Sequence, residues 1–224
     1  MAGLEYHDKI GNTRTSLMDL YLIRHGEVTP PRPGTFYGGQ EVPLSSKGQA
    51  EARAAADFLA GVPLQALYCS PLQRARFGAA AVAQRQSQLH QAEVRNGFRE
   101  IDRGLWVAKT PAEIETLYPG QLQAHQRDLE YWNEHGGESM GQLRTRVLAA
   151  WKEIMASGPK GPAAIVSHLW PTRLLVAQAL RWPLNRLEEL KIGTGSISKI
   201  SYISSRPKVR WVGLKPSLDF HPGQ

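Results

Sequence analysis

Three places in this 224-residue chain set a side chain able to handle a phosphoryl group at the end of a short apolar run. Leu20-Tyr21-Leu22-Ile23 runs straight into Arg24-His25-Gly26. Four apolar residues in a row suit a strand buried on both faces, and ligands of open α/β sheets bind at the carboxyl ends of strands. Arg24 brings a permanent forked cation and His25 a nucleophilic imidazole, while Gly26 lets the backbone turn sharply and approach a ligand. A second run, 64–69, leads through Ser70-Pro71 to Arg74. A third, 163–167, ends in His168 much as the first ends in His25. Singly, such a histidine is more often a structural core residue and such an arginine a surface ion pair. Their shared setting, at one edge of one sheet, is what points to phosphate.

The elements that would position these residues can be read in order. Pro30-Pro31-Arg32-Pro33-Gly34 cannot be helix and reads as a loop over the site. Ser46-Lys47-Gly48-Gln49 has capping-box spacing ahead of an Ala-rich helix to Ala60, closed by Gly61. Pro71 permits a helix to about Arg85, residues 92–95 suit a short strand, and Thr110-Pro111-Ala112-Glu113 combines three helix-start signals. Polar residues 121–134 suggest an exposed helix, and Ser139-Met140-Gly141-Gln142 opens another to about Ser157. Pro171 is read as starting a helix to Arg181, and 196–203 with 209–214 as closing strands. Strands alternating with helices predict an α/β three-layer sandwich with a mostly parallel central sheet.

Composition narrows the class. Apolar residues at 42% and charged residues at 21% are ordinary globular values. The formal charge of +7 is scattered rather than gathered in a block, which fits small phosphate esters better than nucleic acid. One cysteine, Cys69, excludes an intrachain disulfide and a cysteine metal cluster. No apolar run approaches the roughly 20 residues needed to span a bilayer, and no secretory apolar core opens the chain, so a soluble cytoplasmic protein is expected. Residues 1–17 read as a flexible arm or an upstream start, and 18–224 as a single domain. Oligomeric state is left open.

Longer stretches sharpen this. Leu22-Ile23-Arg24-His25-Gly26-Glu27, Tyr37-Gly38-Gly39-Gln40-Glu41-Val42-Pro43-Leu44-Ser45, Cys69-Ser70-Pro71-Leu72-Gln73-Arg74-Ala75, Arg99-Glu100-Ile101-Asp102-Arg103-Gly104-Leu105-Trp106, Gly136-Gly137-Glu138-Ser139 and Val166-Ser167-His168 follow one another from about residue 19 to 203. In order and content they resemble the histidine phosphatase, or phosphoglycerate mutase-like, superfamily. The resemblance implies that fold, no metal or other cofactor, and hydrolysis of a small phosphomonoester through a phosphohistidine at His25. It implies Arg24 and Arg74 as a phosphate clamp, His168 as a second phosphate ligand that stabilises the transferring group, and Glu100 as general acid. On chemistry alone Glu113, Glu115 and Asp102 are also eligible as the acid, with Asp102 in reserve. The arginines are expected to keep His25 neutral.

Departures from the family pattern matter too. Phe77-Gly78 replaces Gln-Thr, Trp106-Val107-Ala108 replaces Trp-Glu-Gly, and Leu169-Trp170 replaces small residues. Pro31 stands where the mutases have Asn, and Arg103-Gly104 where they have Tyr-Gly, which favours phosphatase over mutase. Tyr37, Trp106, Trp132 and Trp170 could line a pocket for a ring-bearing substrate, as in an alpha-ribazole phosphatase. Two other classes compete. Gly137-Glu138-Ser139-Met140-Gly141 matches the serine-hydrolase elbow, with Asp219 and His221 later, yet lacks the preceding strand; a catalytically dead member would be a binding module.

Overall fold

The computed structural model describes residues 17–30, 32–158, 161–203 and 206–218. Pro31, Asp219, His221 and residues 1–16 of the expected arm lie outside them. Strand β1 (Leu17–Arg24) begins at the arm's last residue, and β2 (Ala66–Cys69), β3 (Glu93–Val94), β4 (Ala163–Ser167), β5 (Ile197–Ile203) and β6 (Arg206–Leu214) complete one sheet in the order β3-β2-β4-β1-β5-β6. The β3/β2, β2/β4 and β4/β1 pairs are parallel, and β1/β5 and β5/β6 are antiparallel. The expected mostly parallel α/β sandwich is therefore present.

Alternation along β1 divides the core. Leu20 and Leu22 face one cluster, beneath α5 (Met140–Ala156) and α6 (Leu169–Leu180), while Tyr21 and Ile23 face another, beneath α1 (Ser46–Phe58) and α2 (Gln73–Ala83). All four are buried, as a strand covered on both faces requires. Helix α5 presents Leu143, Val147, Ala150, Trp151 and Ile154 at helical spacing to the first cluster. Full burial of one such leucine stabilises the fold by about 1.5–3 kcal/mol. Helices α1 and α2 instead meet the sheet with alanines, so their backbones lie close to it; a Cβ on Gly78 would come within 3.2 Å of Val166.

Local signals place most boundaries and miss some. Thr110 and Ser139 each close a full capping box, for α3 (Pro111–Leu117) and α5. The cap of α1 is Ser45, one residue before the one expected, and its side chain accepts from Gly48 N–H. Gly48 has no side chain with which to return the bond, so no box forms. Helix α6 starts at Leu169, two residues early, with Pro171 still inside the first turn, where a missing N–H costs nothing. The helix expected over 121–134 is the short α4 (Gln121–Arg127). Asp128 breaks it by accepting from Tyr131 N–H in a side-chain turn, and Trp132 then turns inward onto Trp106, ring centroids 5.2 Å apart.

Candidate active site

Of the five residues expected to handle the phosphoryl group, Arg24, His25 and His168 stand at strand ends and Arg74 in the helical turn after another strand. Arg24 pairs with Ser167 in the β1/β4 ladder, and the N–H of His25 donates to the Ser167 carbonyl at 2.9 Å. The two histidines therefore stand one residue beyond a register pair, with ring centroids 5.0 Å apart and planes at 60°. That separation is close to the 4.7–4.9 Å between neighbouring strands. Arg74 sits in the first turn of α2, fully buried, and donates to the carbonyls of Gln40 at 2.6 Å and Gly38 at 2.8 Å. Arg24 donates to Ile192 O at 2.7 Å.

The tautomer of His25 follows from its neighbour. Its Nδ1 lies 2.7 Å from Gly26 O, and a carbonyl only accepts, so Nδ1 carries the proton and Nε2 holds a free lone pair. Burial first, then Arg74 and Arg24, pushes the His25 pKa down to about 3. The expected neutrality is present, but desolvation outweighs the arginines. His168 is likewise held well below the usual imidazole range, by burial and then by His25, Arg74 and Arg24. Its Nε2 lies 2.6 Å from Ser70 Oγ, and its Nδ1 is buried without a partner. The Nε atoms of Arg24 and Arg74 are orphaned in the same way. The two orphaned guanidinium donors suit an oxyanion, and His168 adds a third when Ser70 Oγ donates to its Nε2 and leaves the ring proton on Nδ1. The amino end of α6, which begins directly after His168, adds favourable partial charge.

Gly26 has a different use from the one its sequence suggests. A Cβ on Gly26 would lie 1.9 Å from the carbonyl oxygen of Gly48, and one on Gly48 1.9 Å from that of Glu27. The glycines thus let α1, rather than a ligand, touch the loop behind His25. Buried Glu51 of α1 also accepts from Glu27 N–H at 2.8 Å and from Lys215 Nζ at 2.7 Å.

Glu100 lies between two short 3-10 turns, Asn96–Phe98 and Gly104–Trp106. It is buried, and burial raises its pKa against the opposing pull of Ile101 N–H, Arg103, Arg74 and Arg24. A protonated carboxyl near neutral pH is what a general acid requires. Asp102, the reserve, is exposed and turned to Gly104 N–H, and Glu113 is engaged in the Thr110 cap. Arg146 of α5, absent from the sequence reading, secures the Glu100 loop: it donates to the carbonyls of Gly97, Arg99 and Glu100 and pairs with Glu138 at 2.6 Å. Ser139 is spent as a cap, accepting from Gln142 N–H and donating to Glu130 O, with no strand before it.

The aromatic residues separate. Trp106 and Trp170 wall a cleft of about 300 Å³ together with Phe36, Arg103, His125 and Glu188. Tyr37 is not in that wall; its ring lies 5.3 Å from the Arg74 guanidinium. Trp132 backs Trp106 in a small core with Ile114. The loop after Trp106 keeps a glycine-like turn without a glycine: Ala108 has φ 60° and donates its N–H to Phe36 O at 2.8 Å. A larger recess of about 760 Å³ is lined by Glu100 with Arg99, Asp102 and Glu138, and neither this recess nor the aromatic cleft has a histidine of the cradle in its wall.

Known proteins resemble this chain in sequence and fold. The chain is 26% identical over 208 residues to phosphoserine phosphatase 1 of Hydrogenobacter thermophilus, covering 93% of this chain and 96% of that one. It is 27% identical over 184 residues to the adenosylcobalamin/alpha-ribazole phosphatase of Salmonella typhi, covering 82% and 90%. The native structure of mycobacterial glucosyl-3-phosphoglycerate phosphatase superposes with a TM-score of 0.76 at 26% identity, over 90% of this chain and 100% of that one. Residues 20–215 match the model of the histidine phosphatase superfamily (branch 1), and the chain belongs to that family.

Proposed function

We propose that this protein hydrolyses phosphomonoesters of small metabolites through a phosphohistidine at His25. The observation that carries the reading is the pair of buried neutral imidazoles, 5.0 Å apart and flanked by Arg24 and Arg74, with the lone pair of His25 left on Nε2. Nε2 attacks phosphorus as the bond to the leaving alkoxide breaks, and Glu100 gives that alkoxide a proton. Arg24, Arg74 and His168 hold the non-bridging oxygens as charge shifts. Glu100, now a carboxylate, takes a proton from water, whose oxygen displaces His25 from phosphorus. Phosphate leaves, and both groups regain their starting states. No step calls for a metal.

Phosphate release from phosphoserine, 3-phosphoglycerate and alpha-ribazole 5′-phosphate, in chelator, tests the reading against His25→Ala. Release that survives chelator and is lost in the variant, with an acid-labile label on the wild type, supports it. Conversion of 3-phosphoglycerate to its 2-isomer without release means mutase chemistry, and no turnover means a binding module. The aromatic wall of Phe36, Trp106 and Trp170 is the observation that keeps a ring-bearing leaving group on the panel. A reducing cytoplasm fits the one buried thiol, Cys69.

A further inference from the structure

Arg103 is the anomaly of the cleft. Its residue is only 5% exposed, yet among the described residues its guanidinium has neither a hydrogen-bond acceptor nor a carboxylate within ion-pair distance. It lies over two rings at cation–π distance, with its central carbon 5.3 Å from the Phe36 centroid and 5.5 Å from that of Trp170. Arg173 approaches the same indole at 4.8 Å. Burial opposes the charge on Arg103, with Glu100 and Glu188 giving only distant support. None of the Arg103 nitrogens is among the fully buried atoms that lack a partner, so they keep an opening to solvent, and aromatic faces recover only part of the hydration lost around them. Arg103, three residues beyond Glu100 in the chain, lines a cleft of about 300 Å³ together with Trp170, two residues beyond His168.

We propose that the cleft receives the leaving group of the ester and that Arg103 recognises a carboxylate carried on it, making Arg103 the residue that selects substrate charge. A guanidinium fork fits the two oxygens of a carboxylate, and the Phe36 and Trp170 rings near it restrict where it can lie. Glu188 in the same wall opposes a dianion more than a monoanion, which favours a carboxylate over a second phosphate. This inference rests on the hydrolase reading above.

Two esters of equal length separate the terms: 3-phosphoglycerate, and glycerol 3-phosphate, in which a hydroxymethyl replaces the carboxylate. Wild-type kcat/KM is expected to favour the carboxylate by about 10- to 100-fold, the range of one charged hydrogen bond. Arg103→Met is expected to bring the ratio to within about three-fold of unity, with Arg103→Lys in between. Equal wild-type rates would overturn the inference without any variant, so a misfolded Arg103→Met leaves it testable. An unchanged ratio in a folded Arg103→Met overturns the assignment to Arg103, and preference for glycerol 1,3-bisphosphate overturns the choice of carboxylate. Loss of all turnover, p-nitrophenyl phosphate included, would sink the hydrolase reading itself, which the ratio cannot do.

Discussion

The phosphate cradle and the cleft beside it are built by opposite means. Arg24, His25 and His168 stand at the ends of paired strands and Arg74 in the helical turn after another, so the sheet's own hydrogen bonds place them. The cleft is assembled from Phe36, the turn holding Arg103 and Trp106, the start of α6 and the 3-10 helix Leu184–Glu189. These segments meet only through packing and a few loop bonds. The contrast suggests that the reaction resides in the sheet and the choice of substrate in the loops.

The sharpest way to break that division is to alter the cradle alone. His25→Ala is expected to lower phosphate release by at least about 10⁴-fold, and His168→Ala by about 10²–10³-fold, for every ester alike. A loss confined to some esters, read from kcat/KM across the panel, would mean that the cradle also selects. Glu100→Gln is expected to cost about 10²–10⁴-fold with alkoxide leaving groups and little with p-nitrophenyl phosphate, which needs no proton. Since the acid must be protonated, kcat is expected to fall as pH rises through its raised pKa.

Acid affects the cradle through stability. The unfolded chain protonates His25 near the ordinary 6.5, whereas the folded chain resists until about pH 3. The unfolded state therefore binds more protons in that window, and the stability of the folded state is fully present above 6.5 and is lost as pH falls toward 3. Unfolding free energies from denaturant titration are expected to drop there by up to about 1.4 kcal/mol per pH unit for each such histidine. A flat profile would mean that the imidazoles are solvated. Arg146→Ala frees the carbonyls behind Glu100 and leaves Glu138 unpaired; a loss of about 2–3 kcal/mol is expected, measured by urea unfolding, along with lower kcat. The smallest effect concerns the cleft: Ala108→Gly relieves a left-handed alanine and is expected to change stability by less than about 1 kcal/mol. A large shift would show that the Phe36 contact depends on that strain.

The two regions also differed in how far the sequence disclosed them. The cradle was legible because each member follows an apolar run, and strand ends are fixed by local pattern. Glu100 needed family position, since Glu113 and Glu115 are chemically equal until a cap and exposure separate them. Arg103 was visible only as a departure from tyrosine, and Arg146 not at all. Their meaning depends on what surrounds them, and Phe36, Trp170 and Glu138 are brought there by folding rather than by sequence distance. The same holds for Trp132, whose inward turn ended a helix that polarity alone had extended.

The pairing of Arg24 with Ser167 has a thermal consequence. Because both imidazoles are anchored one residue beyond a paired position of the sheet, the pairing of β1 with β4 holds their backbones at a fixed separation. On heating, the ability to cleave some ester is therefore expected to persist until the sheet itself melts. The ability to tell one ester from another, held by short turns around Arg103, is expected to fade first.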